Sequence, residues 1–186
     1  MLTGERVGLR ARQDADVAIL HRDLYDDASV RVRADSRPWL PMPATSPASP
    51  YRVVDSDGTA VVFSVVELSN DGQLAGEALL WGIDAHNRSA HVGISLRPEF
   101  RGRALGTDVV RVLCYYGFSL RGLHRLQVDT LVSNVAMLRA AAAAGFAVEG
   151  TLRQAAWVDG EFADEVVLGL LANEWSNCDT YGHDPS

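Results

Sequence analysis

Apolar residues recur at every second position in most hydrophobic segments of this chain, a pattern typical of strands with one buried face. Together with a few runs that are apolar throughout, it predicts seven β-strands. They are expected at Glu5–Ala11, Val53–Leu68, Leu74–Ile83, Ala90–Leu96, Arg125–Leu131, Phe146–Val158 and Phe162–Leu171. The turns Asn70-Asp71-Gly72 and Asp159-Gly160 are strong hairpin signals, so the strands on either side of each turn should pair.

Three other segments repeat their apolar residues at spacings of three and four, which is typical of amphipathic helices. These helices are expected at Gln13–Tyr25, Thr107–Leu120 and Val135–Ala144. Their end signals agree: Asp14 or Asp16 could cap the first helix, Gly122 ends the second, and Asn134 and Gly145 bound the third.

The segment Asp26–Pro50 contains five prolines and predicts an irregular loop with a short second helix. Its most polar part, Ala44–Ser49, is interpreted as a solvated linker. The remaining pattern shows no internal repeat. We therefore expect one α/β domain over residues 1–175, followed by a polar C-terminal tail over residues 176–186.

Composition narrows the function classes. The net charge of −7 argues against a broad nucleic-acid-binding surface, and no apolar run approaches the ~20 residues of a membrane span. Two cysteines, Cys114 and Cys178, do not form a disulfide framework. His86, His124 and His183 lack metal-ligand spacing, so we predict no metal site. A cytoplasmic location follows by default.

A glycine-containing turn, Arg101-Gly102-Arg103-Ala104-Leu105-Gly106, joins the Ala90–Leu96 strand to the following helix. The first amides of a helix lack carbonyl partners and carry the positive end of its dipole, so this order of elements favours a phosphate group. A P-loop is excluded because the chain has no lysine, and the glycine spacing does not fit a dinucleotide fingerprint. A purely structural turn and an Arg-x-x-Gly-x-Gly/Ala phosphate loop remain.

The neighbourhood of the turn distinguishes these two readings. The run from Ala90 to Arg103 resembles the fourth strand and loop of the GNAT superfamily of N-acetyltransferases. Asn134, followed eleven residues later by Gly145-Phe146, is similar to a second signature of that superfamily. The segment from Gly150 to Asp164 resembles the closing hairpin of the subgroup that contains the ribosomal-protein N-terminal alanine acetyltransferases. The resemblance extends from about Leu74 to Trp175.

The resemblance implies a GNAT fold, with a mixed, mostly antiparallel sheet that splays between strands 4 and 5 and carries helices on both faces. It also implies a binding site for acetyl-CoA, with the loop amides on the pyrophosphate and the strand backbone along the pantetheine arm. The implied residues are Ile94, Ser95, Leu96, Arg101, Gly102, Arg103, Ala104, Leu105, Gly106, Thr107 and Asn134.

The acid and base positions of the family are not matched. Relatives carry a tyrosine, a serine or a glutamate where this chain has Ala141, Met137 and Ala156. A thiol of pKa about 8.5 leaves readily without an acid. Deprotonating a lysine-type amine at pH 7 costs about 4.6 kcal/mol, against about 1.4 kcal/mol for an α-amine, so a site poor in bases favours an α-amine.

His91 is the candidate catalytic residue, because histidine titrates near neutrality and can accept a proton directly or through water. A structural role is the alternative, and Glu77 on the adjacent strand is the reserve candidate. Strand alternation predicts that His91, Gly93 and Ser95 face the cleft, while the apolar residues between and after them pack under a helix.

We therefore expect an acetyl-CoA-dependent N-acetyltransferase acting on a primary amine, most like the ribosomal-protein alanine subgroup. The alternatives are a small-molecule acetyltransferase, for a polyamine, an aminoglycoside or an amino-acid-like antibiotic, and a weakly catalytic coenzyme-A-binding module. Asp23, Asp26 and Asp27 could attract a cationic acceptor or form a solvated helix end. Family members often dimerise, so a homodimer is also expected, with no metal, nucleic-acid or membrane partner.

Ala104 stands where glycine is usual in the loop pattern. Alanine at positive φ costs about 1 kcal/mol relative to glycine, so an unstrained loop requires negative φ at this residue. A positive φ would indicate a weakened or lost donor site.

Overall fold

The structure, a computed structural model, describes residues 1–34, 37–53, 58–69 and 71–175. Within them the chain forms one eight-stranded sheet in the order β1-β2-β3-β4-β5-β6-β8-β7. The strands are β1 (Leu2–Thr3), β2 (Val7–Ala11), β3 (Ala60–Glu67), β4 (Gln73–Asp84), β5 (Ser89–Leu96), β6 (Arg125–Leu131), β7 (Ala147–Val158) and β8 (Glu161–Leu171).

Four α-helices accompany the sheet: α1 (Asp14–Leu24), α2 (Ala28–Ala34), α3 (Leu105–Tyr115) and α4 (Val135–Ala143). The helix predicted at Thr107–Leu120 begins two residues earlier in the structure, as α3. Its last turn, Tyr116–Leu120, is π-helical. At Gly117 within this turn, a Cβ would lie 3.2 Å from the Leu126 side chain, so the turn packs closely on β6.

The sequence prediction missed one strand and misplaced the start of another. β1 was not predicted, because two residues carry too little pattern. The second predicted strand begins at Ala60 and not at Val53; Gly58, with φ of +88°, lies outside the extended region just before it. In the first hairpin turn, Asp71 and Gly72 both have positive φ, as the tight turn requires. Asn70 and the predicted tail, 176–186, lie outside the described residues.

Helices pack on both faces of the sheet. On one face, α3 and α4 cover the main core, which contains Leu105, Val109 and Leu113 with no exposed surface. On the other face, Leu20 and Leu24 of α1 pack with Tyr25, Tyr51 and Leu74. The interpretation of Ala44–Ser49 as a solvated linker is wrong at its last residue. Ser49 is buried, as is Tyr51 after it, whereas residues 44–48 are largely exposed.

The carboxylate of Asp16 fixes α1 to the sheet. It accepts hydrogen bonds from the guanidinium of Arg10, from the backbone N–H of Gln13 at 2.9 Å and from the hydroxyl of Ser64 at 2.8 Å. Burial of the carboxyl opposes its ionisation, but these hydrogen bonds outweigh that cost, so the pKa of Asp16 lies below its usual value. Asp16 thus caps the helix, as expected, from inside its first turn.

The sheet opens between β5 and β6. These two strands run parallel, and only Ser89–His91 pairs with Arg125–Gln127 among the described residues. The other neighbouring strands of the described sheet are antiparallel. Since Val92–Leu96 continues without a partner on this side, a wedge-shaped gap begins at His91. The predicted splay between the Ala90 strand and the Arg125 strand is confirmed.

No helix within the described residues is both long enough and apolar enough to cross a membrane.

Candidate functional site

The loop before α3 is anchored at both ends by buried side chains. Phe100 and Leu105 are almost fully buried, and the residues between them turn the chain into the helix. Arg103 donates to the carboxylate of Glu67 at 2.8 Å, and Arg101 donates from Nε to the backbone oxygen of Leu96 at 2.9 Å. The first amides of α3 lack intrahelical partners here, next to two arginines.

The prediction of negative φ at Ala104 is wrong. Ala104 is the N-cap of α3 and has φ of +59° and ψ of 14°, the left-handed conformation usual for glycine. The surroundings hold it there: Leu105 is fixed in the core, and the carbonyl of Arg103 accepts a 2.7 Å hydrogen bond from Arg6. The loop therefore keeps a glycine-like shape at a cost of about 1 kcal/mol.

The backbone edge of β5 that borders the gap presents unpaired groups. Arg97 donates its N–H to the carbonyl of Ala75 on β4, which fixes the direction of hydrogen bonding along β5. Because these groups alternate sides along an antiparallel strand, the N–H and C=O of Val92, Ile94 and Leu96 point into the gap, whereas those of Ser95 point to β4. Of the three predicted strand residues, Ile94 thus offers both backbone groups to a ligand and Leu96 offers its N–H, because the Leu96 carbonyl already accepts from Nε of Arg101.

Asn134 is the N-cap of α4, as predicted. Its side-chain oxygen accepts from the backbone N–H of Met137 at 3.2 Å, and its amide nitrogen donates to Thr130 at 2.9 Å. Ala141 is fully buried, Met137 packs against the main core and Ala156 is buried in β7. These three positions, where relatives place an acid or a base, hold no polar side chain.

His91 lies at the apex of the gap. Val92 lies in the core under α3, with Ile94 and Leu96 packed against it, so the predicted apolar face of the strand is confirmed. The ring of His91 stacks on Trp81 of β4, with 4.3 Å between ring centroids. Its Nδ1 lies 2.6 Å from Oδ2 of Asp129 on β6, and its side chain is 31% exposed.

Asp129 and its neighbours form a polar row that the sequence analysis missed. Gln127 donates to Oδ1 of Asp129 at 2.9 Å, and Arg125 contacts both Gln127 and the carboxylate of Glu149. The alternation of polar residues at 125, 127 and 129 with apolar residues between them could have placed this row on one face. It could not have shown that the row lies beside His91, because β5 and β6 are distant in the sequence.

The other acidic candidates are engaged. Glu77 forms a buried ion pair with Arg12 at 2.6 Å. Asp23 pairs with Arg22 and Arg97, and Asp27 accepts hydrogen bonds from Ser29 at the start of α2. The negative charges of Glu77 and Asp23 are thus already compensated by arginine side chains.

Two open depressions lie elsewhere on the surface. One, of about 450 Å³, is bounded by α1 and residues 44–53, and the other, of about 650 Å³, lies beside Gln154 in β7. Neither is lined by His91 or by the loop. No group of three or more His, Cys, Asp or Glu residues in the described ranges is arranged to hold a metal ion.

Comparison with known proteins agrees with this geometry. Residues 6–147 match the family model described as an acetyltransferase (GNAT) domain. The chain is 33% identical over 105 residues to a putative ribosomal N-acetyltransferase, YdaF, of Bacillus subtilis, which covers 56% of this chain and 57% of that protein. It is 26% identical over 105 residues to spermidine N(1)-acetyltransferase of Escherichia coli, with 56% of each protein covered.

Among solved structures, the spermidine N-acetyltransferase from Vibrio cholerae in complex with CoA and spermine superposes with a TM-score of 0.80. The match covers 90% of this chain and 96% of that one, at 21% identity, and so shows the shared fold. The alignments with the two curated relatives span little more than half of their lengths.

Proposed function

The chain belongs to the GNAT acetyltransferase family, and from this premise we propose that it transfers an acetyl group from acetyl-CoA to a primary amine. One observation carries the proposal: the gap between β5 and β6 has the free amides of α3 near one end and His91 at the other. From Leu96 to His91 the gap runs along five residues of strand, roughly 17 Å. An extended thioester arm would fit along it.

The donor would be held mainly by backbone groups. The first amides of α3 and the loop amides would bind the pyrophosphate, with Arg101 adding positive charge, whereas the charge of Arg103 is compensated by Glu67. The N–H and C=O of Ile94 and the N–H of Leu96 would pair with the amides of the pantetheine arm, replacing the strand partner that β6 does not provide. Because these groups do not depend on side-chain identity, the departures at positions 137, 141 and 156 leave the donor site intact.

His91 would act as the base. The amine nitrogen attacks the thioester carbon, the C–S bond breaks, and the proton lost by the amine passes to His91 directly or through water. A backbone N–H of β5 in the gap would stabilise the oxyanion. The thiolate leaves without an acid and takes its proton from solvent, since a thiol has a pKa of only about 8.5.

We propose a protein N-terminal α-amine as the acceptor. The chain is similar to the putative ribosomal N-acetyltransferase of B. subtilis. Trp81 and His91 are 45% and 31% exposed, so the surface at the apex of the gap is open enough for the end of a polypeptide. An α-amine also loses its proton about 3 kcal/mol more cheaply at pH 7 than a lysine-type amine, which suits a site with one candidate base.

A polyamine is the second candidate acceptor. The similarity to spermidine acetyltransferases favours it, as does the net charge of −7. Asp26, at the junction of α1 and α2, lies 3.3 Å from Nε2 of the buried His21 but is 57% exposed, and it could attract an amine cation. Against this candidate, Asp23 is already paired with arginines.

An acceptor panel tests the function. The purified chain is mixed with acetyl-CoA and one of three acceptors, and the release of free coenzyme A is measured. The acceptors are a peptide with alanine at its N-terminus, the same peptide with that N-terminus already acetylated, and spermidine. We expect turnover with the free peptide and none with the blocked one. Turnover with spermidine alone would establish the second candidate. Binding of acetyl-CoA without turnover of any amine would reduce the chain to a coenzyme-A-binding module.

The donor site is tested by thermal shift. Acetyl-CoA and coenzyme A should both raise the melting temperature, and Gly106→Glu should abolish the effect by adding a carboxylate where the pyrophosphate binds. Gly106→Ala is the matched control, because its Cβ would lie 3.9 Å from Cβ of Ala140, an ordinary contact. The absence of any shift in the wild type at millimolar acetyl-CoA would show that the donor assignment is wrong.

A further inference from the structure

The hydrogen bond between His91 and Asp129 decides which nitrogen of the imidazole carries the proton. An ionised carboxylate only accepts hydrogen bonds, so at 2.6 Å the Nδ1 of His91 must be the donor. In the neutral ring this leaves the lone pair on Nε2. No hydrogen bond of Nε2 occurs within the described residues, and Nε2 is therefore available to accept a proton.

Asp129 is itself held in place. Its Oδ1 accepts from Gln127, whose own amide oxygen accepts from Arg125 at 3.3 Å, and Arg125 forms an ion pair with Glu149. Gly169 on β8 makes room for this pair, because a Cβ there would overlap the Glu149 carboxylate. The row of hydrogen bonds thus runs from the edge of the sheet to the apex of the gap and fixes both oxygens of Asp129.

Among its neighbours, the ring of His91 has one charged partner, Asp129. Trp81 stacks on the ring, and Gly82 lies beside Cδ2, where a Cβ would be only 3.3 Å away. The charged groups on the two flanking strands are Glu77 and Asp84 on β4 and Arg125 and Asp129 on β6; Glu77 is held in its ion pair with Arg12. Glu149 is paired with Arg125, and Asp84 accepts from the turn that follows it.

We propose that Asp129 is a positioning residue that holds His91 in the Nδ1–H tautomer and stabilises the imidazolium formed when Nε2 takes a proton. The arrangement has the logic of the His–Asp half of a catalytic triad, in which the carboxylate orients the base without touching the substrate. The catalytic consequence rests on the proposed function, whereas the tautomer and the protonation behaviour do not.

Asp129 is also suited to remain ionised. Burial of the carboxyl opposes its charge, but the hydrogen bonds from His91 and Gln127 outweigh that effect, so the pKa of Asp129 lies below its usual value. A carboxylate that stays charged throughout the range in which histidine titrates can favour the imidazolium over that whole range.

The first test is spectroscopic and needs no substrate. Side-chain ¹⁵N NMR of the full chain, with the His91 signals identified by their loss in His91→Gln, should show the neutral ring protonated on Nδ1. In Asp129→Asn the ring should gain its proton at a lower pH than in the wild type. Asp84→Asn, which removes a negative charge from β4 without touching the ring, should leave the titration unchanged. A neutral ring protonated on Nε2 in the wild type would overturn the proposal.

The second test is kinetic. With the acceptor that the panel identifies, Asp129→Asn should lower kcat at least about tenfold with little change in acetyl-CoA affinity, and Asp129→Glu should recover part of the loss. An unchanged kcat in a folded Asp129→Asn would contradict the proposal. If the wild type turns over no amine, the proposed function fails, but the NMR spectrum of the wild-type His91 ring still tests the role of Asp129. The same wild-type spectrum tests that role if Asp129→Asn does not fold.

Discussion

Replacing Ala104 with glycine should stabilise the protein, although most substitutions to glycine do the opposite. Ala104 has φ of +59°, a conformation that costs an L-residue about 1–2 kcal/mol and glycine almost nothing. Glycine also makes the unfolded chain more flexible, which costs about 0.4–1 kcal/mol. The difference between the midpoints of these ranges is a net gain of about 0.8 kcal/mol. For a chain of 186 residues this corresponds to a rise in Tm of about 1–4 °C.

Ala142 offers the matched control. It lies exposed in the last turn of α4 in ordinary helical geometry, so Ala142→Gly should lower stability by up to about 1 kcal/mol. Two identical substitutions in one protein should thus shift the urea unfolding midpoint in opposite directions. A loss of stability in Ala104→Gly equal to that of Ala142→Gly would refute the strain argument.

The same substitution reports on the donor site. A strained loop spends less time in the shape that binds the donor, and this reduces its apparent affinity. Relief of about 1 kcal/mol should tighten acetyl-CoA binding by up to about fivefold, measured by calorimetry. Weaker binding by Ala104→Gly would mean that the methyl group contacts the ligand favourably and that the loop is not strained against it.

Three further outcomes are expected. His91→Gln should lower kcat/KM by roughly 10²-fold with unchanged acetyl-CoA affinity; equal rates would return His91 to a structural role. Asp16→Asn should lower Tm at pH 7 by about 6–12 °C, a loss of about 3 kcal/mol, whereas the exposed Asp14→Asn should change it little. The pKa of Asp16 is lower in the folded than in the unfolded protein, so the stability lost in Asp16→Asn should be greatest above about pH 5 and should shrink as the pH falls through the folded-state pKa. A loss of stability that is unchanged at about pH 3 would exclude a role for the charge. Cys114 is fully buried, and burial raises its pKa to about 12. In a Cys178→Ser variant, Cys114 should therefore not react with a thiol reagent until the chain unfolds, and rapid reaction of the folded protein would contradict its burial.

Local patterns in the sequence were sufficient for most of the elements. Alternation predicted the strands and the two faces of β5, because burial on one face of a sheet imposes a period of two on the residues themselves. Caps such as Asn134 and the positive-φ turn glycines Gly122 and Gly145 were predictable for the same reason, since their conformational preference acts within a few residues.

Tertiary structure decided what depends on residues far apart in the chain. Ala104 keeps a positive φ because Leu105 and Arg103 are fixed by contacts with the core and with Arg6, and no local rule for alanine contains those contacts. Asp108 resembles an ordinary first-turn acid of α3, but its carboxylate accepts from N–H groups of residues 5–7. His91 and Asp129 are 38 positions apart and meet because β5 and β6 lie side by side before they diverge. A pattern of period two places each of these side chains on a face of the sheet, and only the order of the strands brings the two together.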